Sequence, residues 1–238
     1  MKLFSTLIAI LFTAVIFAQS PATFISKTDA FLKKNVTKGR VNYKSIKNNP
    51  AELEELMALA KDVRVSKSDA ANYQAFWINA YNISVISGIT AKYPTKSPLN
   101  IKGFFDKKTY SLGGKETTLN DLENKLLRAV FPKEARFHFV LVCAGLGCPP
   151  IINEAYKANT LEAQLQKQTV IALNNPKFIK VKGKKVQLSQ IFEWYKKDFT
   201  QYGSEVEYIN KFRKEPLEAG SRISYYPYDW TLNDAKAL

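Results

Sequence analysis

Between residues 70 and 92 the chain carries apolar side chains at Phe76, Trp77, Ala80, Tyr81, Ile83 and Ile86. At helical spacing these occupy more than one stripe, so a helix here has no wholly wet face and must be wrapped by the rest of the chain. Ser66 or Ser68 can cap it, and Pro94 stops it near Lys92. Asn72, Gln74, Asn79 and Asn82 make the stretch too polar for lipid. Asn79 and Asn82 are three apart and share a face. Inside a core each amide needs partners, because an unpaired buried polar group costs about 1–3 kcal/mol. They either brace neighbouring loops or, with Trp77 and Tyr81, line a pocket.

Around this helix the pattern predicts further helices over residues 22–36, 50–63, 160–173, 189–195 and 205–214. Hairpins are predicted at residues 109–118, turning at Gly113-Gly114, and at residues 178–188, turning at Lys182-Gly183-Lys184. Thr118 or Asn120 can cap a helix reaching Val130, and Asn120 with Glu123 has capping-box spacing. Residues 137–143 read as a buried strand, with His138, Val140 and Val142 on one side and Phe139, Leu141 and Cys143 on the other. A last strand is expected at residues 222–226. Helices and hairpins alternate without βαβ spacing. The class is therefore α+β, mostly helical, with hairpins and a small sheet packed on the long buried central helix.

The N-terminus sets the expected compartment. Met1-Lys2 precedes an apolar run to Phe17, and Ala18-Gln19-Ser20 offers small residues for cleavage. This is the layout of a secretory signal peptide over residues 1–19, followed by one domain over residues 20–238. The expectation is an exported protein, periplasmic or extracellular, that does not span a membrane once the signal is removed. Thirty-five basic residues outweigh 21 acidic ones, for a net charge of +14. The lysines are spread along the chain and form no arginine-rich stripe, which argues against nucleic acid. A solvated lysine surface or attraction to an anionic envelope polymer or peptide fits this charge.

Chemistry converges on residues 138–150. His138 is the sole histidine, and Cys143 and Cys148 are the only cysteines. No cluster has zinc-ligand composition, so no metal and no cofactor is expected. Ala144-Gly145-Leu146-Gly147 delivers Cys148 on a turn, where a side chain can be exposed. Cys148 as nucleophile, His138 as base and Asn79 as its orienting amide would make a Cys-His-Asn site. Alternatively the two cysteines form a bridge, remain buried thiols or cycle as a redox pair. Glu123 and Arg128 read as an ion pair on one helix, and Asp198 as a structural carboxylate. The aromatic segment 225–230 either closes a core or lines a groove. No P-loop, dinucleotide fingerprint or GxSxG elbow is present.

Five segments together carry a resemblance. They are Phe76-Trp77-Ile78-Asn79-Ala80-Tyr81-Asn82, Leu119-Asn120-Asp121-Leu122-Glu123 with Arg128, His138-Phe139 leading to Cys143 and Cys148-Pro149-Pro150, Ile191-Phe192-Glu193-Trp194-Tyr195 with Asp198-Phe199, and Tyr228-Asp229-Trp230. In this order they resemble the DUF547 family, a domain of unknown function. The family pattern often has histidine directly after the glutamate, where this chain has Asn124. The reading favours a non-catalytic module that binds a peptide, glycan or partner protein in a cleft near Asn79, Asn82, His138 and the Cys148 loop. The alternative is a cysteine-dependent hydrolase or acyl transferase, or a thiol-redox protein.

Overall fold

A computed structural model describes residues 20–235. The predicted signal peptide lies outside them. The observed class is α+β. Helix α1 (Pro21–Asn35) starts at Ser20, whose hydroxyl accepts from the Ala22 N–H, and has Lys33 and Lys34 in its last turn. That placement suits the helix dipole. A two-residue ladder, β1 (Val36–Thr37) with β2 (Arg40–Val41), turns the chain into α2 (Tyr43–Asn48) and then α3 (Ala51–Asp62).

Helix α4 (Ala70–Lys92) is the predicted long helix, capped by Asp69 rather than by either serine. Every residue from Ala75 to Ile86 is buried. Helices α1, α2 and α3 pack around it. The hairpin β3 (Thr109–Leu112) with β4 (Lys115–Thr118) has the expected register. The expected capping box is absent. Thr118 is the cap, accepting from the Asp121 N–H at 3.1 Å, and Asn120 instead accepts from the Asn124 side chain.

Helix α5 (Leu119–Asp121) widens at once into a π-helix, Leu122–Arg128, rather than the expected α-helix. Bonding from each residue to the fifth along brings residues five apart toward one side, here Glu123 and Arg128. A second unit follows. Helix α6 (Leu161–Leu173) leads to a sheet of β5 (Ile179–Lys182), β6 (Lys185–Ser189) and β7 (Arg222–Tyr226), with β5 and β6 antiparallel and β6 and β7 parallel. Short helices α7 (Gln190–Trp194), α8 (Lys196–Phe199) and α9 (Glu205–Asn210) join them.

Buried side chains form two cores. One surrounds α4; the other joins Phe139, Phe178, Phe192 and Phe199 to the three-stranded sheet. Cys148 packs against both. The predicted strand over residues 137–143 is replaced by a 3-10 turn, Ala135–Phe139, followed by residues without a sheet partner. Side chains satisfy this backbone instead. The Asn82 amide donates to Val140 O at 3.0 Å and accepts from Val142 N at 2.9 Å, while Cys143 N donates to Cys148 Sγ at 3.0 Å. Asn79 does the same for another loop, donating to Tyr156 O at 2.7 Å and accepting from Tyr156 N at 3.0 Å.

Both amides are therefore braces. Replacing Asn82 with alanine strands a buried carbonyl and a buried N–H, and should cost about 2 kcal/mol. Asn79→Ala should cost a similar amount. Urea unfolding midpoints of the two variants provide the measurement, and unchanged midpoints would contradict the bracing role.

Candidate functional site

The 3-10 turn, the loop that follows it and the π-helix face α7 and the C-terminal segment across a cavity of about 310 Å³. The turn and loop contribute His138, Leu141, Cys143 and Cys148, and the π-helix contributes Glu123. The expected alternation fails here, because His138, Leu141 and Cys143 all line this one cavity. Aromatic walls come from Tyr81, Phe105, Trp194, Tyr195, Tyr228 and Trp230. Trp194 stacks on Trp230 at 6.0 Å between centroids, and Tyr228 lies 4.6 Å from Trp230 and 5.1 Å from Trp194.

The cysteine loop is built by backbone geometry. Ala144 sits in the left-handed region at φ 65°, unusual for a residue with a Cβ and fully buried. This turns the chain back after Cys143. The C-terminal segment then pins the loop: Leu146 N bonds Thr231 O at 2.8 Å, Gly147 N bonds Asp229 O at 2.8 Å, and Asn233 N bonds Ala144 O at 2.9 Å. A Cβ on Gly147 would stand 2.8 Å from the Tyr228 ring, so glycine lets that ring reach the cysteines.

Cys143 and Cys148 are free thiols with their sulfurs 2.6 Å apart. The Tyr228 hydroxyl lies 2.7 Å from Cys143 Sγ and 2.8 Å from Cys148 Sγ. Burial opposes ionisation of Cys143. Hydrogen bonds from Cys148, Tyr228 and the Gly145 N–H outweigh it and hold this thiol below its ordinary value, against the opposing charge of Glu123. Burial, together with the hydrogen bond to Cys143 and its charge, pushes the Cys148 thiol well up. The more ionisable thiol is thus Cys143, not the Cys148 singled out in the sequence.

His138 serves a different network. Its Nε2 lies 2.8 Å from Asp198 Oδ2, and its Nδ1 faces Glu123 Oε1 at 4.0 Å. Neither distance describes a bond to sulfur, so the proposed Cys148–His138 pairing is not seen. Arg128 donates to the same Asp198 oxygen from Nε and Nη2, each at 2.8 Å. Burial raises the Asp198 pKa, but the bonds and charges of His138 and Arg128 prevail and bring it from 3.8 to about 2. The Tyr195 ring stacks on His138 at 4.0 Å, and burial, with the charge and hydrogen bond of Glu123, pushes its hydroxyl far up.

Of the sequence candidates, Cys148, His138, Cys143, Glu123 and Tyr81 meet in the cavity. Asn79, Asn82, Trp77 and Arg128 do not line it. Asn82 acts behind it, fixing the loop. Trp77 packs in the α4 core against Phe76 and Tyr73, and Arg128 acts through Asp198. Asn124 also lies outside the cavity; its side-chain oxygen accepts from Arg128 Nη1. Sequence reasoning gave no site role to Tyr195, Trp194 or Phe105. The quoted Ile191–Tyr195 and Tyr228–Trp230 segments were the available signal for that wall.

Residues 65–171 match the family model described as "Protein of unknown function, DUF547". That segment of the chain is similar to the DUF547 family. The matched span holds the first three of the five motif segments, whereas the wall of Trp194, Tyr195, Tyr228 and Trp230 lies beyond it. No curated protein and no solved structure matches the chain. Among the described residues, no helix is long and apolar enough to cross a membrane, and no group of three or more His, Cys, Asp or Glu could hold a metal ion.

The Asp198 network has a signed pH dependence. Its folded pKa lies below the unfolded one, so its stabilisation is complete above about pH 4 and is lost as pH falls toward 2. Discounted for solvent screening of this partly exposed carboxylate, the shift corresponds to about 1 kcal/mol. Asp198→Asn should lose about that much at pH 7 and show a flatter stability profile between pH 4 and pH 2. Urea unfolding across that range measures both, and parallel profiles for the two proteins would refute the network's contribution.

Proposed function

We propose that this protein is an exported binding module whose cavity receives an ammonium-bearing side chain or terminus of a peptide. The lining carries the argument. It contains six aromatic rings and one carboxylate, Glu123, but no lysine or arginine, in a chain with 35 of them. Aromatic faces attract cations, and more strongly where water is excluded. A carboxylate in such a setting adds Coulomb attraction that bulk water would weaken. The cavity's local preference thus opposes the positive charge of the whole surface.

Size favours a peptide over a glycan chain. About 310 Å³ lies at the small end of ligand sites, enough for one side chain and its flanking backbone. Trp194, half-exposed, is placed to meet the ligand first. The leader-like residues 1–19 support export to a periplasmic or extracellular setting, where peptides are available.

Trp194 and Trp230 make binding observable by fluorescence in the mature protein. Acetyl-lysine amide should bind at least tenfold more tightly than acetyl-norleucine amide, which has nearly the same shape without the charge. Glu123→Gln should remove most of that difference, and Trp230→Ala should weaken both. Equal affinity for the charged and neutral probes would overturn the reading.

A further inference from the structure

We propose that Cys143 and Cys148 form a reversible dithiol–disulfide couple, with Cys143 attacking and Cys148 resolving, that exchanges with a disulfide entering the aromatic cavity. The inference shares the cavity with the binding reading but does not rest on its charge preference. Four observations carry it. The sulfurs are 2.6 Å apart, so closing a bond of about 2.05 Å needs little displacement. Both cysteines line the cavity and keep partial exposure, unlike inert core thiols. A single phenolic hydroxyl, that of Tyr228, is within 2.8 Å of both sulfurs. The loop between them is held by three backbone bonds to residues 229–233, which keeps the two thiols facing each other when they are not bonded.

The asymmetry of the pair assigns the roles. Both sulfurs receive donors, but Cys143 takes those of the Cys148 thiol, the Tyr228 hydroxyl and the Gly145 N–H and is the readier thiolate, while burial and the adjoining Cys143 hold the proton on Cys148. In the first step the Cys143 thiolate attacks one sulfur of a disulfide R–S–S–R′. The S–S bond breaks, R′–S⁻ leaves with the electron pair and takes a proton from solvent, and a Cys143–S–S–R bond remains. In the second step Cys148 gives its proton to solvent and attacks Cys143 Sγ. The Cys143–S–R bond breaks and R–S⁻ leaves, to be protonated. The bound disulfide gains two electrons and becomes two thiols; the pair loses two and becomes a disulfide. A dithiol of the same class runs the sequence in reverse. The Tyr228 proton can serve only one sulfur at a time, so it can follow the negative charge from Cys143 to the departing sulfur. His138 is not needed as a base, since its Nε2 is held by Asp198.

The reduced mature protein, mixed with 2-hydroxyethyl disulfide, tests this. That probe has no ammonium group, so failure here is separate from failure of the lysine-binding test. Mass spectrometry should show Cys143 capturing the probe about 100-fold faster at pH 7 than in the urea-unfolded chain. The native protein should then proceed to the internal disulfide. Cys148→Ser should stop at one mixed disulfide on Cys143, and Cys143→Ser should lose the fast capture. Tyr228→Phe should move the half-maximal pH of capture upward, which a purely structural hydroxyl would not do. A pair that is bridged as purified and reducible only after unfolding overturns the couple. So does capture no faster in the native protein than in the unfolded one.

Discussion

The whole site depends on one amide inside a helix that has no exposed face. Asn82 lies in the buried run of α4 and holds Val140 O and Val142 N from below. A buried amide must find partners, and a loop backbone without a sheet must find them too. Each requirement is met by the other. Because α4 is wrapped by three helices it cannot shift easily, so the loop inherits its rigidity. His138 enters this loop from one side, and Cys143 leaves it on the other. The same device, through Asn79, anchors Tyr156 at the far end of the cysteine segment.

A second constraint is the seam between the two cores. Within a core, close packing leaves few voids large enough to hold a ligand. Where two cores meet along an irregular segment, side chains from either side need not interdigitate. The 3-10 turn lies on that seam, with Phe137 in one core and Phe139 in the other. The intervening His138 is therefore caught between them, stacked on Tyr195 and tied to Asp198 of the second unit. That tie joins the third motif segment to the downstream Asp198-Phe199 through the imidazole. It also explains why a histidine so close to two cysteines does not serve them.

Local patterns were legible where backbone periodicity settled the answer. The buried α4, the Gly113-Gly114 hairpin and the helix after Gly183 follow from side-chain spacing and turn chemistry alone. The misreadings share a cause. Residues 137–143 have strand-like composition, yet their backbone partners are side chains distant in sequence, which no local window reveals. The π-helix is likewise invisible to a 3.6-residue period, although it sets Glu123 against the cavity. Tyr228 lay in an aromatic run that fits a core as well as a wall. Its role depends on Gly147, whose missing Cβ admits the ring, and that is a contact across about eighty residues.

The distribution of charge gives the last step. A chain with net charge +14 repels cations at long range, yet screening confines that field to about 8–10 Å at physiological ionic strength. Inside the cavity, therefore, the nearest groups decide. There Glu123 acts on a ligand and on Cys143 alike; its charge adds to the larger opposition of burial to the thiolate. A cation seated against Glu123 would offset the carboxylate's share of that opposition and make Cys143 somewhat easier to ionise. Occupancy of the aromatic pocket and readiness of the thiol are then coupled through one carboxylate, without any movement of the backbone.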